Sequence, residues 1–106
     1  MSTINENKPK INGKLIFVDG LELSIAYDMT EITKDLYTGT QEIAEVILPP
    51  AAVRIGARAF SWYKNMKTIT IPECVISIGE GAFNRCAALE SILLPGKLES
   101  IGAWAF

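Results

Sequence analysis

Apolar residues return along this chain of 106 residues at a constant interval of 23. Pro49, Pro72 and Pro95 share one phase of the interval; Ile55-Gly56, Ile78-Gly79 and Ile101-Gly102 share a second; Ala59-Phe60, Ala82-Phe83 and Ala105-Phe106 share a third. Repetition at this period marks units that bury their apolar faces only by stacking on a neighbour. Met66 to Ala88 illustrates one unit. Met66, Ile69 and Ile71 have the spacing of a strand that points alternate residues inward, and Pro72 then denies further pairing and turns the chain. Val75 and Ile78 point inward again, Gly79 permits a tight bend, and Ala82, Phe83 and Cys86 ride on a short helical turn. Rungs stack about 4.8 Å apart, so four of them make a block ~20 Å tall.

Ahead of the clear repeats the pattern changes. Residues 1–13, punctuated by Pro9 and Gly13, read as a flexible arm. Two strand-like runs, 14–18 and 21–27, flank Asp19-Gly20, a hairpin signal. A two-residue loop pairs Val18 with Leu21 and Ile16 with Leu23. Ile16, Val18, Leu21, Leu23 and Ile25 then form the core face, with Leu15, Phe17, Glu22 and Ser24 opposite. The interval points the same way, because Leu23 and Ile25 lie one period before Val46 and Leu48, so the second run reads as the zeroth rung of the same sheet. Asp28 and Glu31 have the spacing of a capping box, Met29, Ile32 and Leu36 follow at helical spacing, and Gly39 supplies a stop. Residues 14–42 therefore read as a hairpin and helix capping a stack of three repeats, 43–65, 66–88 and an incomplete 89–106.

Composition narrows the function. A net charge of −2 gives no electrostatic case for nucleic acid or anionic membrane. The imbalance sits in residues 1–42, with seven acids against four lysines, whereas 43–106 carry six bases against five acids. The polar start lacks the order of a signal peptide and no apolar run is long enough to span a bilayer. As written, the chain reads as a cytoplasmic product; as a piece of a longer exported protein it belongs at the cell surface or outside. Two cysteines without any histidine do not complete a zinc tetrahedron. Cys86 shares the phase of Tyr63 and reads as a small core residue, and Cys74 falls in a loop. A bridge between them has little support.

The stretches Ile69-Thr-Ile-Pro-Glu-Cys-Val-Ile-Ser-Ile-Gly-Glu-Gly-Ala-Phe-Asn-Arg-Cys86 and Ile92-Leu-Leu-Pro-Gly-Lys-Leu-Glu-Ser-Ile-Gly-Ala-Trp-Ala-Phe106 resemble the BspA-type leucine-rich repeat family over residues 43–106. The resemblance implies an α/β solenoid: a short right-handed leucine-rich-repeat arc with a parallel inner sheet and short helical turns on its outer side. Members are often bacterial surface proteins, adhesins or host-matrix binders. The last rung would expose Leu89, Ile92, Leu94, Leu98, Ile101 and Phe106, an apolar end suited to assembly with a second copy or a continuing array.

Candidate chemistry is sparse. Without histidine the usual general base and the usual triads are missing. Cys86 has no activating base, the acids Asp28, Glu31 and Asp35 are better read as helix caps and a solvated face than as a cation site, and the glycines recur once per unit without forming a phosphate-cradling loop. No cofactor or metal is expected, and the chain reads as a non-enzyme. Binding is what remains. Outward positions on the inner sheet are Glu22, Glu45, Thr68 and Ser91 in one row and Ser24, Ile47, Thr70 and Leu93 in the next, with Leu15 and Phe17 extending the patch. On the outer side, Trp62 and Trp104 occupy phases that vary between units, where other units have Arg85, or Arg58 and Gly81; Val53 and Ile76 also face outward. The expected function is a non-catalytic module that binds a protein partner. One alternative is a structural or self-associating segment of a longer array, a surface or adhesin-like protein; another is a small intracellular inhibitor of a host enzyme.

Overall fold

The structure, a computed structural model, describes residues 10–106; most of the arm assigned to residues 1–13 lies outside the described residues. Eight strands make two four-stranded sheets. The first contains β1 (Gly13–Phe17), β2 (Glu22–Ile25), β4 (Ile43–Ile47) and β6 (Thr68–Thr70) in the order β2-β1-β4-β6. The second contains β3 (Glu31–Ile32), β5 (Arg54–Ile55), β7 (Ser77–Ile78) and β8 (Ser100–Ile101) in chain order. Every pairing in the second sheet is parallel and joins residues one period apart: Ile32 with Ile55, Ile55 with Ile78, Ile78 with Ile101. The same offset joins Val46 to Ile69 in the first sheet. The interval in the sequence is thus the rise from one rung to the next.

Between the sheets runs one core, in which Ile43, Val46, Ile55, Phe60, Met66, Val75, Ile78 and Phe83 are buried. Phe60, Phe83 and Phe106 stack as a column, with centroids 5.6 and 5.4 Å apart and rings 11° and 9° from parallel. Glycine at the bend is a steric requirement. A Cβ on Gly79 would lie 2.5 Å from the Ala57 amide nitrogen, and one on Gly102 would lie 2.5 Å from that of Glu80. In each case the obstacle is the backbone of the rung beside it.

Three sequence expectations need correction. The helix after Asp28 does not form: Glu31 and Ile32 are a strand, and a short 3-10 turn, Thr40–Glu42, is the helical element among the described residues. Ile32 is worth more as the first rung of the second sheet, fully buried against Ile55, than on an isolated helical turn. Glu31 accordingly meets Arg54 at 3.8 Å instead of serving a capping box. The helical turns expected on the outer side are also absent, replaced by hydrogen-bonded turns.

The hairpin is the third correction. Leu15 pairs with Leu23 and Ile16 with Glu22, while Phe17 receives the Gly20 N–H and donates its own to Leu21. The loop is therefore Val18-Asp19-Gly20, closed by a glycine at φ +92°, the three-residue form that ends in a left-handed residue. One extra loop residue flips the face of β1. Leu15 is buried and Phe17 packs edge-on against Tyr37 at 5.4 Å, whereas Val18 is 61% exposed. Moreover β1, antiparallel to both neighbours, sits between β2 and β4, so β2 is displaced from the zeroth-rung position.

Candidate functional site

Three surfaces carry the residues singled out above. On the outward side of the first sheet, Glu45, Ile47, Thr68 and Thr70 lie on β4 and β6, with Glu45 and Ile47 half-buried and the threonines exposed. Ile16 lies opposite Glu45 and Lys14 opposite Ile47, and Lys14 pairs with Glu22 at 3.3 Å. The apolar part of this surface is therefore Ile16 and Ile47, screened by charges. Phe17 does not contribute, because it points into the core. Ser91 and Leu93 are exposed but lie outside any strand, and the third rung keeps a single bond to this sheet, from the Glu90 N–H to the Lys67 carbonyl. The expected four-residue rows thus stop at β6.

The second surface is the far end of the stack. Leu89, Ile92 and Leu98 are half-buried against the core, whereas Leu94, Ile101 and Phe106 are exposed. The six residues split into an inner group that finishes the core and an outer group open to contact.

The third surface is built by the turns. Within each rung the turn is closed by bonds such as Ala59 N–H to the Gly56 carbonyl and Tyr63 N–H to that of Phe60. Between rungs, the amides of Arg58, Phe60 and Trp62 donate to the carbonyls of Glu80, Ala82 and Asn84, and those of Gly81 and Phe83 donate to Ala103 and Ala105. Aiming these donors at the next rung requires a left-handed residue at two phases of the turn. One phase holds Arg58 (φ 57°), Gly81 (φ 63°) and Trp104 (φ 60°), and the other holds Trp62 (φ 70°) and Arg85 (φ 66°). Among the described residues every non-glycine with positive φ is thus an arginine or a tryptophan, and all four are exposed. Trp62 is 53% and Trp104 79% accessible. The Arg85 guanidinium lies 5.1 Å over the Trp62 ring, and the Arg58 chain leans over Gly81, its Cγ 3.4 Å from where a Cβ would sit. Sequence reasoning singles out the tryptophans as candidates and passes over Arg58 and Arg85, which share their backbone conformation. The available signal was Gly81 at the phase of Arg58 and Trp104.

The cysteines carry no visible chemistry. Both are free, Cys74 exposed and Cys86 half-buried. Cys86 donates to the Phe60 carbonyl at 3.1 Å, and burial pushes its thiol up to about 11, the wrong direction for a nucleophile. Tyr63, buried beside it, is likewise pushed up to about 12. Among the described residues no group of side chains is arranged to hold a metal ion, and no helix is long and apolar enough to cross a membrane. A shallow depression of about 190 Å³ lies over the second sheet between Glu31, Arg54 and Ser77. It is smaller than the roughly 300 Å³ at which small-molecule pockets begin.

Parallel rungs on a 23-residue period, two narrow sheets and turns in place of helices define a leucine-rich-repeat protein. By sequence, residues 21–106 match the family described as BspA type leucine rich repeat region (6 copies), and the chain belongs to it. The match begins well before residue 43, in keeping with the placement of Ile32 as a regular rung. Among solved structures the chain is similar to a leucine-rich repeat protein from Bacteroides ovatus ATCC 8483, with 30% identity and a TM-score of 0.68 over 100% of this chain. It spans about a quarter of that protein, 26% of its length. No curated protein matches the sequence.

Proposed function

We propose that the chain is a non-catalytic protein-binding module, a short leucine-rich-repeat solenoid that makes its contact through the turn side. The observation that carries this reading is the display of Trp62 and Trp104. Each is a large aromatic held in solvent on a left-handed backbone that glycine would adopt with less strain. Exposed tryptophan on rigid backbone is the residue type that anchors protein interfaces, and the cross-rung hydrogen bonds fix its position before any partner arrives. The first sheet is the weaker candidate, since Ile16 and Ile47 are partly covered and the rows end at β6.

The test is affinity capture with three forms of the protein: unaltered, Trp62→Ser with Trp104→Ser, and Ile47→Glu with Thr70→Glu. A protein held by the unaltered form and the sheet variant but released by the tryptophan variant supports the reading. One released by the sheet variant alone moves the site to the first sheet.

A second reading is favoured by the exposed Leu94, Ile101 and Phe106. In it this face seats a further rung, from a second copy or from additional repeats, and the module is a segment of an assembly. Sedimentation across a concentration series separates the two, because a strict monomer removes pairing between copies.

A further inference from the structure

We infer that the turn-side face selects an acidic polypeptide, one that presents carboxylates beside apolar side chains. The inference deepens the protein-binding reading and rests on it. Its first support is charge. The chain as a whole is net −2, yet the turn segments 56–65 and 79–88 carry Arg58, Lys64 and Arg85 against the single acid Glu80. Among the described residues neither Arg58 nor Arg85 meets a carboxylate within ion-pair distance, whereas Arg54, on the second sheet, is paired with Glu31. The two guanidiniums on this face are therefore uncommitted forks, the geometry that takes a carboxylate through two hydrogen bonds.

The second support is placement. The Arg85 guanidinium lies 5.1 Å over the Trp62 ring, a cation–π contact that narrows its side-chain freedom before it meets a ligand. Across the adjacent phase the Arg58 chain lies over Gly81, which has no side chain to hold it off, and Trp104 stands exposed at the same phase one rung on. A bound chain that sets a carboxylate on Arg58 can place a neighbouring apolar group on Trp104. The third support is backbone strain: four residues accept the left-handed region, and each presents the aromatic or cationic group this ligand needs. Nucleic acid fits less well, because three bases do not track a phosphate backbone and the rest of the chain is acidic.

The experiment is titration of the protein, followed by tryptophan fluorescence and calorimetry, with three short peptides. One is glutamate-rich with interspersed phenylalanine, one replaces each glutamate by glutamine, and one replaces each by lysine. A fourth titration uses single-stranded DNA. The acidic peptide should bind tightest, with affinity falling as salt rises, and the Arg58→Glu, Arg85→Glu double variant should lose about tenfold. An unchanged thermal melt shows that the exposed substitutions leave the fold intact, and a Trp104→Ser variant should weaken the acidic and glutamine peptides alike. Equal binding of the acidic and glutamine peptides, still dependent on the tryptophans, overturns the acidic-partner inference and leaves the protein-binding reading standing. Tighter binding of DNA than of the acidic peptide overturns the inference, and silence with all four ligands up to millimolar concentration counts against both.

Discussion

Replacing Gly79 by alanine should push two rungs apart. The added Cβ would lie 2.5 Å from the Ala57 amide nitrogen, 2.7 Å from the Gly56 carbonyl carbon and 2.9 Å from the Ala57 Cα. Comfortable contact begins at about 3.5 Å, and none of the three atoms belongs to a side chain that could swing away. The neighbouring rung must retreat by about an ångström, through the region held by the bond from Gly79 N–H to the Ile55 carbonyl at 2.7 Å and from Arg58 N–H to the Glu80 carbonyl at 2.9 Å. Loss of both costs about 2 kcal/mol, and loosening of the packing between Phe60 and Phe83 adds about 1–2 kcal/mol. The sum, about 3–4 kcal/mol, is a large share of the roughly 5–15 kcal/mol that holds a domain folded. In urea, with a slope of about 1.5 kcal/mol per molar, the midpoint should fall by about 2 M. Gly96 is the control, because nothing lies within 4 Å of its Cβ position; alanine there should change stability by less than about 0.5 kcal/mol. Gly56, with the Ile32 carbonyl oxygen 3.2 Å from its Cβ position, should fall between them. Equal midpoints for Gly79→Ala and Gly96→Ala would refute the close-approach argument.

Four further outcomes follow from the same geometry. Phe83→Ala opens the middle of the aromatic column between Phe60 and Phe106 and should cost about 3–5 kcal/mol in a denaturant melt, the two outer rings losing their shared partner. Gly81→Ala introduces a side chain at φ +63° and should cost about 1 kcal/mol, whereas Trp104→Gly, at the same phase, should leave thermal stability equal or slightly raised. In folded protein at neutral pH, iodoacetamide should modify Cys74 and spare Cys86, as read by peptide mass mapping. The buried thiol also gives a sign for alkaline stability: unfolded Cys86 loses its proton near 9 and folded Cys86 near about 11, so between those values the unfolded state binds fewer protons and stability falls as pH rises. Cys86→Ala should flatten that fall in chemical melts taken at successive pH values.

Much of this fold is legible in the sequence wherever a residue type has one physical use at its phase. Gly79 and Gly102 are fixed by close backbone approach, Phe83 by the aromatic column, and Ile55, Ile78 and Ile101 by the ladder they form. The first unit hides because it satisfies the same phases with other residues. Thr33 stands where later units have the bend glycine, Leu36 where they have alanine, and Tyr37 where they have phenylalanine. Asp28 and Glu31 then imitate a capping box, and local helix signals cannot reveal that Ile32 has Ile55 waiting one rung away. Asp19-Gly20 marks the hairpin, but a single loop residue decides which face of β1 is buried. The candidate site was half legible for a related reason. Tryptophan draws notice on an exposed turn, whereas arginine there looks like ordinary solvation until the backbone shows that Arg58 and Arg85 sit in the left-handed region.

The antiparallel strand β1 sets the first sheet apart from the second. Parallel rungs present the same donor and acceptor spacing upward and downward, so a purely parallel sheet can lengthen at either end. β1 pairs with β4 in the opposite sense and β2 lies beyond it, so at that end the first sheet leaves the one-period pairing, while the pairings of β4 with β6 and of β7 with β8 keep it. The two sheets therefore keep different records of the same duplication: the second carries the 23-residue step through every pairing, whereas the first carries it only between β4 and β6, because the hairpin has taken the place beside β4.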